Sequence, residues 1–166
     1  MKINKEEREI LEILEKDARL TASDIGKMIG ESEQLVQAMI KRLEEERILV
    51  HYTTLIDWSK VEDDERVTAM IDVKVTPKRG VGFHETAERI YRFKEVSSVY
   101  LMSGAYDLSV TVEGKSMNEV ARFVSEKLST LDEVVSTTTH FQLKKYKHDG
   151  KIFEEKQIDN RIVVSP

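Results

Sequence analysis

The sequence predicts an α+β fold in two parts: a helix-turn-helix at the N-terminus, then a β-α-β-β-α-β domain. Three observations carry this. Between Leu20 and Leu49, two apolar stripes at helical spacing are separated by Gly30-Glu31-Ser32. From Val67 onward the apolar pattern switches between the two-residue period of strands and the longer period of helices. Between these regions, Trp58 to Arg66 is polar and holds Asp63-Asp64-Glu65 in a row, which reads as a hinge and not as a metal site.

The chain as a whole limits the choices. Its 166 residues allow one domain or two small ones, and an apolar fraction of 40% is enough for an ordinary core. There is no cysteine, so disulfide and thiol chemistry are excluded. No apolar run reaches membrane-spanning length and the start is charged instead of signal-like, so a cytoplasmic protein without membrane contact is expected. The formal charge of −5 means that any nucleic acid must be met by a local basic face or by several copies together.

Residues 5–16 predict a first helix, with Ile10, Leu11, Ile13 and Leu14 apolar and Glu6, Glu7, Glu9, Glu12 and Glu15 solvated. Thr21 and Asp24 form a capping-box pattern for a second helix whose stripe is Ile25, Met28 and Ile29. Gly30 is free to take positive φ at that helix end, and Ser32 can cap the next helix. There Leu35, Val36, Met39, Ile40 and Leu43 face inward, while Glu33, Gln34, Gln37, Ala38, Lys41 and Arg42 face out. A short helix, a tight turn and a longer amphipathic helix is the shape that places a recognition helix in the DNA major groove. Residues 47–57 then turn β-rich, as a wing or as an arm leading to the second part.

In the second part Val67 to Val75 alternates as a strand stopped before Pro77. Lys78 to Gly82 is a loop without a phosphate-binding fingerprint. Phe83 to Phe93 is helical, with Phe83, Ala87, Ile90 and Tyr91 facing inward, and Val96 to Met102 is a strand. After the turn Gly104 to Asp107, Leu108, Val110 and Val112 alternate as the next strand. Ser116 and Glu119 form a capping box for a helix with Val120, Val124 and Leu128 on one stripe and Ala121 and Phe123 beside it. Val135, Thr137, Thr139, Phe141 and Leu143 alternate as a last strand. This order is the ferredoxin-like arrangement, an antiparallel sheet with both helices on one face. Met70, Tyr100 and Met102 fall on its open face, which predicts sheet-to-sheet dimerisation. The tail from Gly150 to Pro166, ending Arg161-Ile162-Val163-Val164, is either a disordered tail or a strand exchanged with a neighbouring subunit.

Three stretches in this order resemble the Lrp/AsnC (leucine-responsive, or feast/famine) transcription regulators. They are Ile40-Lys41-Arg42-Leu43-Glu44-Glu45 at the end of the recognition helix, Tyr52 on the arm, and the turn Gly104-Ala105-Tyr106-Asp107-Leu108. The resemblance covers residues 5 to about 146. It implies a helix-turn-helix DNA-binding domain with a β-strand arm at 1–57 and a hinge at 58–66. An effector-binding and oligomerisation domain at 67–147 and a C-terminal extension at 148–166 complete the expected organisation. It further implies double-stranded DNA as partner, a small effector that by family habit is an amino acid, and a homodimer that assembles further, for example into an octamer. The sequence departs from the family pattern at Gln37-Ala38, where relatives carry an arginine pair, and at Ala105, where they carry an acid.

The candidate DNA contacts are Ser32, Gln34, Gln37, Lys41 and Arg42. A glutamine can pair with adenine through two hydrogen bonds, and basic groups near the helix end can hold phosphates. The candidate effector contacts are Gly104, Ala105, Tyr106, Asp107, Thr137 and Thr139. Asp107 either receives a ligand ammonium while turn N–H groups meet its carboxylate, or it stabilises the turn. Thr137 and Thr139 either donate to the ligand or are simply β-formers. No nucleophile–base constellation is visible, and His84 and Glu88, which share a helical face, make too few ligands for a good metal site, so neither catalysis nor a cofactor is expected. The alternative reading is an oligomeric small-molecule sensor or interaction protein that does not bind DNA.

Overall fold

The computed structural model describes residues 2–62, 66–77 and 82–153. The chain divides into two compact units, Met1–Ile56 and Asp57–Pro166. The expected features on 63–65, 78–81 and 154–166 lie outside the described residues.

The first unit holds three helices: α1 (Lys5–Lys16), α2 (Ala22–Ile29) and α3 (Glu33–Glu45). Each begins with a side-chain cap that offsets the orphan N–H groups of a helix start. Asn4 and Glu7 form a reciprocal capping box on α1, and Thr21 and Asp24 form another on α2. The Ser32 hydroxyl accepts from Leu35 N–H at 3.3 Å on α3. Gly30 ends α2 with φ of 79°, the left-handed conformation that costs glycine nothing. The core is Ile10, Leu14, Ile25, Val36 and Leu43.

Three details depart from the sequence reading. Glu7 is buried, 1% exposed, because it works as a cap and an ion-pair partner instead of a solvated charge. Met28 and Leu35 lie on the outer surface, 62% and 41% exposed, since Ile25, Val36 and Leu43 already fill the small three-helix core. Residues 47–57 form no strand, because a strand needs a ladder partner and nothing in the described residues supplies one.

The second unit is a four-stranded antiparallel sheet in the order β2-β3-β1-β4, crossed on one face by two helices. Its elements are β1 (Val67–Val75), α4 (His84–Tyr91), β2 (Val96–Leu101), β3 (Leu108–Gly114), α5 (Met117–Phe123) and β4 (Val134–Phe141). Alternation puts Ala69, Ile71, Val73 and Val75 of β1 beside Leu108, Val110 and Val112 of β3 on the covered face, where Ile90, Val120, Phe123 and Leu128 close the core. A π-helical turn, Val124–Leu128, follows α5 and brings Leu128 back over the sheet, so Phe123 is core and Ala121 is exposed. At the start of α5 the capping is not reciprocal: Ser116 accepts from Glu119 N–H, but the Glu119 carboxylate takes Lys115 N–H instead. Tyr91, expected inside, is 54% exposed, because Ile90 takes the inward position at the end of α4.

The open face carries Met70 and Tyr100, 50% and 60% exposed, within a field of Thr111, Ser109, Thr138, Asp72 and His140. Met102 lies past the end of β2. A second, small hairpin pairs β5 (Lys147–His148) with β6 (Lys151–Ile152) across Asp149-Gly150, both at positive φ. An Asp-Gly pair favours this primed turn, which matches the twist of two strands. The hairpin therefore runs across the expected boundary at 147/148. In the expected hinge, Asp57 caps one 3₁₀ turn, Trp58–Lys60, and the Arg66 guanidinium lies 3.6 Å from the centre of the Trp58 ring.

Candidate functional site

Each unit presents one candidate surface. In the first it is the outer face of α3. Val36 and Leu43 point into the core, which turns Gln34, Gln37, Ala38 and Lys41 to solvent. The turn before α3 is tightly held: the Gly26 carbonyl accepts from both Gly30 N–H and Glu31 N–H at 2.9 Å. A Cβ on Gly26 would lie 2.6 Å from the Glu31 carbonyl oxygen, so this close approach requires glycine.

The candidate DNA contacts differ in how they are held. Ser32 caps α3 through its oxygen, which leaves its hydroxyl hydrogen to donate. Gln34 is exposed. Gln37 gives one Nε2 hydrogen to Glu33 Oε1 at 3.0 Å, keeping its carbonyl and its other amide hydrogen. Lys41 is 75% exposed and only loosely paired with Glu45 at 3.8 Å, an exposed pair of the kind worth a few tenths of a kcal/mol. Arg42 is held differently. Its Nη2 pairs with Oε1 of Glu7, whose side chain is 2% exposed, while the Arg42 side chain as a whole is 47% exposed. The other Glu7 oxygen accepts from Asn4 N–H at 2.9 Å. Tyr52 donates to Glu44 Oε1 at 2.9 Å, and burial first, then that carboxylate, pushes its phenol up to about 12.

The candidate surface of the second unit is the β2–β3 turn. Met102 N–H donates to the Asp107 carbonyl at 2.8 Å and closes the turn, and Gly104 sits within it at φ 144°. Asp107 is fastened to β1 twice: its N–H donates to the Val73 carbonyl at 3.1 Å, and its Oδ2 accepts from Val75 N–H at 2.8 Å. The β1–β4 register slips between Lys74 and Val75, and the side chain of Asp107 takes up the N–H at that irregularity. Thr137 stands opposite Val73 on β4, so the structure brings Asp107 and Thr137 to one end of the sheet on either side of β1. Thr139, opposite Ile71, lies one pleat repeat further along. Both threonines are half-buried on the helix-covered side, Tyr106 is half-buried, and Gly104 and Ala105 are exposed.

Sequence reasoning missed Glu7 and Gly26. The spacing from Asn4 to Glu7 could have marked the cap, and a glycine inside a helix could have marked the close approach. Nothing local marked the Asp107–Val75 bond, since the partners are 32 positions apart. Among the described residues, no group of three or more His, Asp or Glu side chains could hold a metal ion, and no helix is long and apolar enough to cross a membrane.

Comparison with known proteins bears on both units. Residues 3–50 match the model of a winged helix-turn-helix DNA-binding domain, and residues 68–152 match the Lrp/AsnC ligand binding domain. The chain is 64% identical, over the full length of both proteins, to the HTH-type transcriptional regulator YugG of Bacillus subtilis. Among solved structures, a transcriptional regulator from Neisseria meningitidis in complex with L-Met is 24% identical with a TM-score of 0.70, covering 89% of this chain and 94% of that one. The leucine response regulatory protein of Mycobacterium tuberculosis is 21% identical with a TM-score of 0.74, covering 90% of this chain and 98% of that one.

Proposed function

The chain belongs to the Lrp/AsnC family of transcription regulators, DNA-binding proteins with a ligand-binding domain, and we propose that an amino acid bound at its β2–β3 turn governs how its recognition helix engages DNA. The observation that carries this reading is the Asp107 turn. One carboxylate oxygen is spent on Val75 N–H, which holds the side chain of this half-buried residue and leaves the other oxygen, Oδ1, for a ligand at a turn whose Gly104 and Ala105 are exposed. A fixed carboxylate oxygen suits a ligand ammonium, the turn's N–H groups suit its carboxylate, and Thr137 can add a hydroxyl donor. The L-Met complex of the Neisseria meningitidis regulator supports an amino acid as the class of ligand.

On the DNA side, Gln34 and Gln37 read base edges in the major groove, and Ser32, Lys41 and Arg42 hold phosphates. The protein acts by binding and not by catalysis, in the cytoplasm where its DNA lies. Met70 and Tyr100 on the open sheet face are the contact of a homodimer, which presents two recognition helices to a two-fold symmetric operator and assembles further, for example to an octamer. The ligand changes DNA affinity by as much as it prefers one assembly state over another.

The test is binding to the DNA upstream of the protein's own gene, at low and moderate salt, with and without a mixture of amino acids. Saturable, sequence-selective binding that changes with the mixture is the expected result. A folded, oligomeric protein that binds no DNA at any salt would overturn the DNA side and leave an oligomeric sensor. Selective binding indifferent to every amino acid would overturn the ligand side.

A further inference from the structure

We propose that Glu7 is a positioning residue for DNA binding: its buried carboxylate holds the Arg42 guanidinium so that the exposed edge meets one phosphate. This rests on Arg42 being a DNA contact. The inference comes from how the pair is built. Glu7 sits in the first turn of α1 and Arg42 in the last turn of α3, so the ion pair ties the first helix of the unit to the recognition helix. Both Glu7 oxygens are occupied, one by Asn4 N–H and one by Arg42 Nη2, so the carboxylate cannot swing away with the arginine. Asn4 Oδ1 in turn accepts from Glu7 N–H at 2.7 Å. The acid is therefore fixed at its backbone and at its head.

An arginine fork is planar and rigid. With Nη2 bound to a fixed acid, the swing of the fork is restricted and its other N–H groups stay available, so part of the rotamer entropy that a free arginine loses on meeting a phosphate has already been lost in folding. Lys41 differs: it is mostly exposed and loosely paired, and must be immobilised when DNA arrives. Of the two basic candidates on α3, only Arg42 is set in place beforehand.

Charge alone makes the opposite forecast, which gives the proposal a sign that can fail. Replacing Glu7 by Gln removes a negative charge close to the DNA, so a purely electrostatic effect would strengthen binding. If Glu7 positions Arg42, Glu7→Gln weakens binding to a mixed-sequence duplex at low salt by about tenfold, the order of one charge-assisted hydrogen bond. The slope of log affinity against log salt falls by about one, as when a phosphate contact is lost. In an Arg42→Ala background the same substitution has no weakening effect, because the two act through one contact.

Arg42→Lys keeps the charge at an exposed site and is independent of any folding defect in the Glu7 variant; it too is expected to lose about tenfold, since an ammonium cannot bind acid and phosphate along two edges. Circular dichroism melts confirm that each variant tested is folded. Stronger binding in Glu7→Gln, or wild-type affinity in Arg42→Lys, would overturn the proposal. Were the wild-type protein not to bind the duplex at all, the DNA-contact reading itself would fail, which is a separate outcome.

Discussion

The two units hold their candidate surfaces in opposite ways. In the helical unit, almost every bond that shapes the recognition helix joins residues three to five apart: Ser32 to Leu35, Glu33 to Gln37, and Gly26 to Gly30 and Glu31. In the sheet unit, the bond that fixes the turn joins Asp107 to Val75 across 32 positions. Apart from the Glu7–Arg42 pair, one surface is written in neighbouring residues and the other in topology. A helical site can therefore be read from spacing, whereas a sheet site needs the strand register before any of its residues acquires a role.

The sharpest way to break this contrast is through the cores, which share no residue. Ile71→Ala empties a fully buried position at the centre of the sheet. It is expected to cost the second unit about 4 kcal/mol and to leave the helical unit unchanged. Calorimetry resolving two transitions checks it; a matching drop in both would show that the units melt as one.

Gly26→Ala probes the local side. The new Cβ meets the Glu31 carbonyl oxygen at 2.6 Å, backbone against backbone, so the turn must shift. A loss of about 2 kcal/mol is expected in the helical unit, with weaker DNA binding because α3 starts from that turn. Thermal melts and DNA titration read the two effects, and wild-type values in both would show that the turn relaxes freely.

Asp107→Ala probes the long-range side. It leaves Val75 N–H without its acceptor, at an expected cost of about 2 kcal/mol, and abolishes the response to amino acids while sparing basal DNA binding. A normal response in that variant would remove Asp107 from the ligand site.

The smallest effect is that of acid. Glu95 lies below the usual glutamate value of 4.5, chiefly through the hydrogen bond from the Lys127 ammonium at 2.6 Å. A lowered folded value means that its contribution is complete above the ordinary range and fades as pH falls through and below 4.5 toward the lowered value. Lys127→Met is expected to remove that acid-sensitive part, about 1 kcal/mol at a pair whose lysine is 41% and whose glutamate is 13% exposed, as seen by denaturant melts across about pH 3 to 6.

Much of the architecture was legible because period and capping are local. Thr21, Gly30 and Ser32 mark the turn in the chain as they do in space. The strands Val67 to Val75 and Leu108 to Gly114 followed from alternation, and with the helices between them they gave the order of elements along the chain. What was not legible was the environment of charges. Glu7 resembled its glutamate neighbours, and only the packing of α3 against α1 makes it a buried partner for Arg42. The arm failed as a strand for the same reason in reverse: Val50, Tyr52, Leu55 and Ile56 have β-forming character, but character does not provide the neighbouring ladder. The final hairpin was missed although Asp149-Gly150 stood in the sequence, because its two strands are only two residues each.

That arm has a consequence for handling the protein. The amides of residues 51 to 56 donate to no carbonyl among the described residues, and the side chains there are exposed. A protease needs just such a stretch of unbonded main chain, and the division between the two compact units falls at Ile56 and Asp57. Brief digestion should cut the chain here first and release two fragments, each keeping the core it had in the whole: a ready route to studying the helix-turn-helix and the sheet domain apart.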